Sequence, residues 1–198
     1  VDGIIRQITT DDDGNFVFER VINDRYEIFA AGYETAEPVT LKNLPLIADV
    51  RVMLELLADI GVAVDLHSDT RTVRLCAKRI RHTHLDREHC GRVRSSILFA
   101  GPLLGRCGSV KLYPPGGDVI GRRRLDAHLE GLEALGVQVD LGDRLRFRAP
   151  RGLRGADIFL PEASVTATEQ VLMAAVLARG TTRIHNAACE PHVQDVAR

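Results

Sequence analysis

One pattern occurs twice along the chain, and it limits the folds open to it more than any other feature. Ala36–Leu41 reads as a strand and Asn43-Leu44-Pro45 as a turn. Val50 to Ile60 then places apolar residues at helical spacing (Val50, Met53, Leu54, Leu57), with Gly61 as the C-cap. Val62–Asp65 reads as a second strand. Downstream, Gly108–Leu112 is the strand, Pro114–Gly117 the turn and Arg124 to Leu135 the helix. Gly136 is the cap and Val137–Asp140 the second strand. Gly136 follows Gly61 by 75 residues.

The second half of each unit repeats as well. Arg71–Leu75 and Arg144–Arg148 alternate as half-buried strands do. Each leads into a longer helix, one near Cys90 to Leu104 and one near Ser164 to Ala178. Those helices end at Gly108 and Gly180, 72 residues apart. Thr181–Asn186 opens a third unit. The expectation is two complete β-α-β-β-α units and the start of a third, a repeat built by stacking like upon like. Residues 1–30 stand outside the pattern. Asp11-Asp12-Asp13-Gly14 between Ile4–Ile8 and Phe16–Phe18 predicts a hairpin there.

Charge and composition remove several classes of function. Lys+Arg total 26 against 27 Asp+Glu, a net charge of −1, which argues against a general binder of nucleic acid or acidic membrane. No apolar run approaches the ~20 residues of a membrane helix, and the start does not read as a signal peptide, so a cytoplasmic location is expected. Cys76, Cys90, Cys107 and Cys189 form no C-x-x-C pair and fit no zinc framework, so they read as reduced thiols. Arg81–Cys90 gathers three histidines, a thiol and two carboxylates, but its two arginines and its spacing favour a polar loop leading into a helix over a metal site.

Three stretches carry chemistry. Tyr113–Asp126 sets two prolines, three glycines, Asp118 and Arg122-Arg123-Arg124 between a strand and a helix. Gly116 to Gly121 has phosphate-loop spacing, but Arg-Arg follows where Lys-Ser/Thr is required. Flexible backbone, guanidinium groups and a helix start suit an anionic ligand, and equally a solvated turn. Gly91–Ser96 puts Arg92 and Arg94 at a helix start, where decoration of the helix end is the simpler reading. Leu160–Glu169 begins a helix at Ser164, and capping alone accounts for it.

Together these stretches resemble the UDP-N-acetylglucosamine enolpyruvyl transferases (1-carboxyvinyltransferases), of the same superfamily as the 5-enolpyruvylshikimate-3-phosphate synthases. The matching words are Arg94-Ser95-Ser96-Ile97-Leu98 with Gly101-Pro102-Leu103, then Pro115–Gly121, Asp126–Leu132, Ser164–Glu169 and Asn186–Pro191. They run in order from about Ala30 to Arg198. The loop arginines and the Asp-Ala-His word favour the UDP-sugar branch over the shikimate branch. A non-catalytic binding or structural module of the same fold is the alternative from another class.

The resemblance implies an α+β fold of repeated β-α-β-α-β-β units with helices inside and sheets outside, an inside-out barrel of which this chain is an incomplete part. Residues 31–198 would be first-domain sequence and residues 1–30 an unmatched segment. It implies transfer of the enolpyruvyl group of phosphoenolpyruvate to the 3′-hydroxyl of UDP-N-acetylglucosamine, with release of phosphate, as the first committed step of peptidoglycan synthesis. No cofactor, metal, nucleic acid or membrane is implied. A second domain is expected in the intact enzyme, and the chain reads as a fragment without full activity.

Carried over residue by residue, Asp118 takes the loop position that is usually cysteine in the family and aspartate in some members. Arg94 matches an arginine that contacts the sugar nucleotide. Arg123, Arg124, Leu125, Asp126 and Ala127 match the segment that holds uridine and phosphates. Glu162, Ala163, Ser164 and Val165 match the other nucleotide segment, with Glu162 where the family usually has lysine. Addition of the hydroxyl to C2 of phosphoenolpyruvate requires protonation at C3, and phosphate is then expelled. Arginines stabilise the shifting anionic charge. Asp118 is the implied acid, a role that demands desolvation, since an ordinary Asp titrates near ~3.9. Family members are inactivated by fosfomycin through the loop thiolate. A carboxylate is a far weaker nucleophile, so insensitivity is expected. The family's N-terminal Ser-Gly-Ala-Lys-Asn word has no counterpart in residues 1–30, and Lys42-Asn43 lies in the wrong element to replace it.

Overall fold

The computed structural model describes residues 5–10, 16–20, 38–117 and 124–197. Its first unit contains β3 (Val39–Leu41), α1 (Ala48–Asp59), β4 (Ala63–His67) and β5 (Thr72–Cys76), preceded in the chain by β1 (Ile5–Thr10) and β2 (Phe16–Arg20). Then come α2 (Arg87–Arg92), a 3₁₀ helix (Arg94–Phe99) and α3 (Ala100–Cys107). The second unit runs through β6 (Ser109–Leu112), α4 (Asp126–Ala134), β7 (Gln138–Leu141), β8 (Leu145–Arg148), β9 (Asp157–Phe159) and α5 (Val165–Val176). β10 (Thr182–His185) and α6 (Pro191–Ala197) open the third.

The repeat is visible bond for bond. Each unit builds a three-stranded antiparallel sheet in the order first, third, second: β3-β5-β4 and β6-β8-β7. Gly61 and Gly136 both have positive φ (107° and 88°), which lets the chain reverse out of α1 and α4 without the steric cost a side chain would bring. The same helix ends then fix the chain further on. Arg81 N–H donates to the Ile60 carbonyl at 2.8 Å, and Arg154 N–H to that of Leu135 at 3.0 Å. β10 sits in a four-stranded sheet of order β1-β2-β10-β9, antiparallel to β2 and parallel to β9. Its neighbours β2 and β1 thus take the places that β8 and β7 take beside β6.

The helices lie inside. α5 packs against α3, α4, α6 and the 3₁₀ helix, and seven consecutive or near-consecutive residues from Ala167 to Ala174 are buried. A helix apolar on every side belongs at the centre of a core rather than at its edge. The sheets supply the outer wall through Val73, Val110, Phe147 and Ile184, all fully buried. Among the described residues no helix is long and apolar enough to cross a membrane. The four cysteines are unpaired, Cys90 buried, Cys107 and Cys189 exposed.

Two expectations need correction. The helix read over Cys90 to Leu104 is three pieces. Val93 is extended (φ −135°, ψ 139°), and the buried Ser96 hydroxyl donates to the Val93 carbonyl at 2.9 Å, which stabilises the break. Pro102 has no N–H to give, so it suits the first turn of a new helix rather than the middle of a long one. The strand β9 is also additional to the sequence reading. Three residues are too few to show alternation, and its strand geometry follows from pairing with β10.

Candidate functional site

The site is assembled from three chain segments that begin helices. The first is the junction of α2 and the 3₁₀ helix. Asp86 caps α2, its Oδ1 accepting from His89 N–H at 2.9 Å, and the bond holds the Asp86 carboxyl below the usual range. The break at Val93 then turns the chain and leaves Arg94 half-buried at the start of the 3₁₀ helix.

The second segment is the glycine-rich loop after β6. Gly116 N–H donates to the Cys90 carbonyl at 2.9 Å, and a Cβ on Gly116 would collide with the Gly91 carbonyl. Gly117 has a φ of 94°, and a Cβ there would lie 3.3 Å from the Arg94 nitrogen. Backbone therefore lies on backbone, which explains why the turn reads Gly-Gly. Arg124 stands at the far end of this stretch. Its carbonyl accepts from Arg94 Nη2 at 2.8 Å, while its guanidinium pairs with the Asp126 carboxylate. Asp126 sits in the first turn of α4, where a negative charge is favoured.

The third segment is the start of α5. Ser164 Oγ accepts from Ala167 N–H at 3.4 Å, so the cap read from the sequence is present. Thr168 Oγ1 donates to the Ser164 carbonyl at 2.8 Å and accepts from Ala188 N–H at 3.0 Å, which ties the start of α5 to the strand-to-helix turn after β10. Ser164 and Val165 are half-buried, whereas Glu162 and Ala163 are exposed.

His128 joins the three segments. Its ring is 1% exposed. Nδ1 donates to Gln170 Oε1 at 2.6 Å, Nε2 accepts from the Thr166 hydroxyl at 3.1 Å, and Gln170 Nε2 donates to the Ile97 carbonyl at 3.1 Å. One directional relay therefore runs from α5 through α4, back to α5 and on to the 3₁₀ helix. Burial lowers the His128 pKa to about 4, the bond to Gln170 opposes that shift, and the Arg94 charge adds to it. The ring is a neutral strut at ordinary pH.

Of the residues expected to form the site, Arg94, Arg124 and Asp126 are linked directly, Ala127 is buried beside Asp126 in α4, and Ser164 and Val165 are tied to α4 through the neighbouring Thr166 and His128. Leu125 is half-buried between Arg124 and α4. Glu162 makes no ion pair among the described residues. Asp118 and Arg123 lie outside the described residues. The sequence reading quoted His128 without giving it a role and passed over Gln170. The available signal was one amide within the apolar run of α5, since a buried polar group needs a partner.

The family model described as EPSP synthase (3-phosphoshikimate 1-carboxyvinyltransferase) matches residues 22–198. The chain belongs to the EPSP synthase family. Within that family, curated relatives named UDP-N-acetylglucosamine 1-carboxyvinyltransferase share much of its sequence. The one from Bradyrhizobium diazoefficiens is 55% identical over 175 residues, covering 88% of this chain and 40% of that protein. The one from Treponema pallidum is 52% identical over 167 residues, covering 84% and 39%. This family member therefore spans about two-fifths of the length of those relatives. Among solved structures, the enolpyruvyl transferase NikO from Streptomyces tendae superposes with a TM-score of 0.67 at 21% identity, over 85% of this chain and 39% of that one. An EPSP synthase from Acinetobacter baumannii gives 0.65 at 17%, over 84% and 39%. At those identities the likeness is one of fold, the α+β fold of the enolpyruvyl transferases.

Proposed function

We propose that this chain supplies the nucleotide-sugar half of a cleft in which the enolpyruvyl group of phosphoenolpyruvate is transferred to the 3′-hydroxyl of UDP-N-acetylglucosamine, releasing phosphate. The observation that carries this reading is the convergence of Arg94, the Arg124–Ala127 segment and the start of α5 on one relay centred at His128. The names of the relatives support the choice of acceptor. The reaction is the committing step of peptidoglycan synthesis, and it takes place in the cytoplasm. A second domain closes the cleft, and residues 31–198 form the first-domain part.

Arg94 contacts the sugar nucleotide, Arg123 to Ala127 with Glu162 to Val165 hold the uridine and phosphates, and the arginines among them supply positive charge to the substrates' anionic groups. Fixed guanidinium groups stabilise charge as it moves from the phosphate ester to the leaving phosphate. Asp118, carried on the glycine-rich loop, delivers the proton to C3 once loop closure has desolvated it. Glu162, acidic where the family carries lysine, favours a second reading in which the nucleotide sugar is bound with little turnover.

The test is a graft. Residues 31–198 replace the matching stretch of the full-length Bradyrhizobium diazoefficiens relative, and phosphate release from phosphoenolpyruvate is followed with UDP-N-acetylglucosamine present. Turnover that is lost in Asp118→Asn supports the transferase. Saturable nucleotide-sugar binding without phosphate release supports the second reading.

A further inference from the structure

The seam between the first and second units contains a cleft of about 360 Å³ that the reaction above does not use. Arg87, Lys111, Arg144, Tyr113, His82 and His84 line it, over a floor of buried Leu85 and Leu112. None of the residues assigned to the nucleotide sugar borders it. We propose that this cleft binds a small phosphorylated anion, held by Arg87, Lys111 and Arg144.

The Arg87 and Arg144 guanidinium groups lie 5.4 Å and 5.1 Å from the centroid of the same Tyr113 ring. Lys111 borders the same space. Arg87 and Lys111 have no carboxylate within ion-pair distance among the described residues, and Arg144 has only its neighbour Asp143 at 4.0 Å. The two carboxylates on the wall face histidines. Asp86 accepts from His89 N–H and faces His89 Nδ1 at 2.7 Å, while Asp59 faces His82 Nε2 at 3.8 Å. Three cations on the wall outnumber its two carboxylates, and an anion placed among them is attracted by the surplus positive charge.

The walls are prepared for such a guest. His82 and His84 stack at 4.4 Å, and His82 Nδ1 donates to the His84 carbonyl at 3.0 Å, which fixes the ring pair. His84 and Lys111 pair in parallel, with Lys111 N–H donating to Thr83 at 2.8 Å and Leu85 N–H donating to Lys111 at 2.9 Å. The strand carrying Lys111 is therefore anchored on both sides. Arginine and lysine on a rigid frame suit phosphate oxygens. The volume is at the small end of ligand sites, which fits an anion of diphosphate size rather than a whole nucleotide sugar.

The test uses the whole chain with inorganic pyrophosphate at fixed ionic strength. Calorimetric titration is made on the unmodified protein, on Lys111→Gln/Arg144→Gln and on Arg124→Gln, with circular dichroism to verify folding. The expected result is one saturable site, weakened at least about tenfold in the double variant and unchanged in Arg124→Gln. Amide resonances of Lys111 and Tyr113 in the unmodified protein shift on saturation. No saturable binding overturns the proposal. So does binding that the double variant leaves intact, or binding that Arg124→Gln abolishes, which would place the anion in the nucleotide-sugar site.

Discussion

His128 Nδ1 donates to Gln170 Oε1 at 2.6 Å across 42 residues of sequence, and that bond locks α4 to α5 behind the candidate site. Neither partner touches solvent to any useful extent, with His128 at 1% and Gln170 at 0% exposure. The relay keeps the starts of both helices in fixed relation, so the segments they carry meet without adjustment.

The first prediction concerns pH. The folded-state pKa of His128 is about 4, below the ordinary 6.5 of an unfolded histidine. The unfolded chain therefore takes up the proton first, and stability is lost as pH falls from about 6.5 toward 4. A difference of that size corresponds to roughly 3 kcal/mol. Denaturant midpoints measured across this window decline in the unmodified protein, and the decline is shallower in His128→Gln. An equal slope in both would assign the loss to other groups.

Arg94 contributes to holding His128 neutral. Arg94→Ala therefore raises the His128 pKa, an effect read from its ring resonances during an NMR titration. A downward shift would show that the guanidinium acts on the ring in some other way.

The two glycines at the loop stem behave oppositely. Gly91 has open space where a Cβ would stand, whereas Gly116 abuts the Gly91 backbone. Gly116→Ala costs about 1–3 kcal/mol, because backbone must move to admit the methyl. Gly91→Ala, inside α2, is neutral or stabilising by up to about 1 kcal/mol. Chemical denaturation of the two variants separates them, and equal effects would contradict the stacked backbone.

The role proposed for Asp118 predicts the response to fosfomycin. In the full-length graft, time-dependent inactivation is absent with Asp118 and appears with Asp118→Cys, since a thiolate alkylates where a carboxylate does not. Covalent loss of activity in the unmodified graft would refute this.

Much of the fold was legible because it is periodic. The helical spacing of Val50 to Leu57, the caps at Gly61 and Gly136 and the alternation of Arg144–Arg148 are local signals, and each lies within a residue or two of the observed element. The break at Val93 was hidden because apolar residues continue across it at nearly helical spacing. It is held by the Ser96 hydroxyl on the Val93 carbonyl rather than marked by a change of pattern. β9 exists through a partner 26 residues away. The site was less legible still. An arginine at a helix start is commonly ornament, and only the resemblance singled out Arg94. What gives Arg94 its place is contact with the Arg124 carbonyl 30 residues later, which no window of sequence contains.

The central claim is that these segments together hold a nucleotide sugar, and titration of the chain with UDP-N-acetylglucosamine tests it most directly. The account predicts saturable binding, weakened at least about tenfold by Arg123→Ala. Absence of saturable binding, or binding indifferent to that substitution, would contradict it.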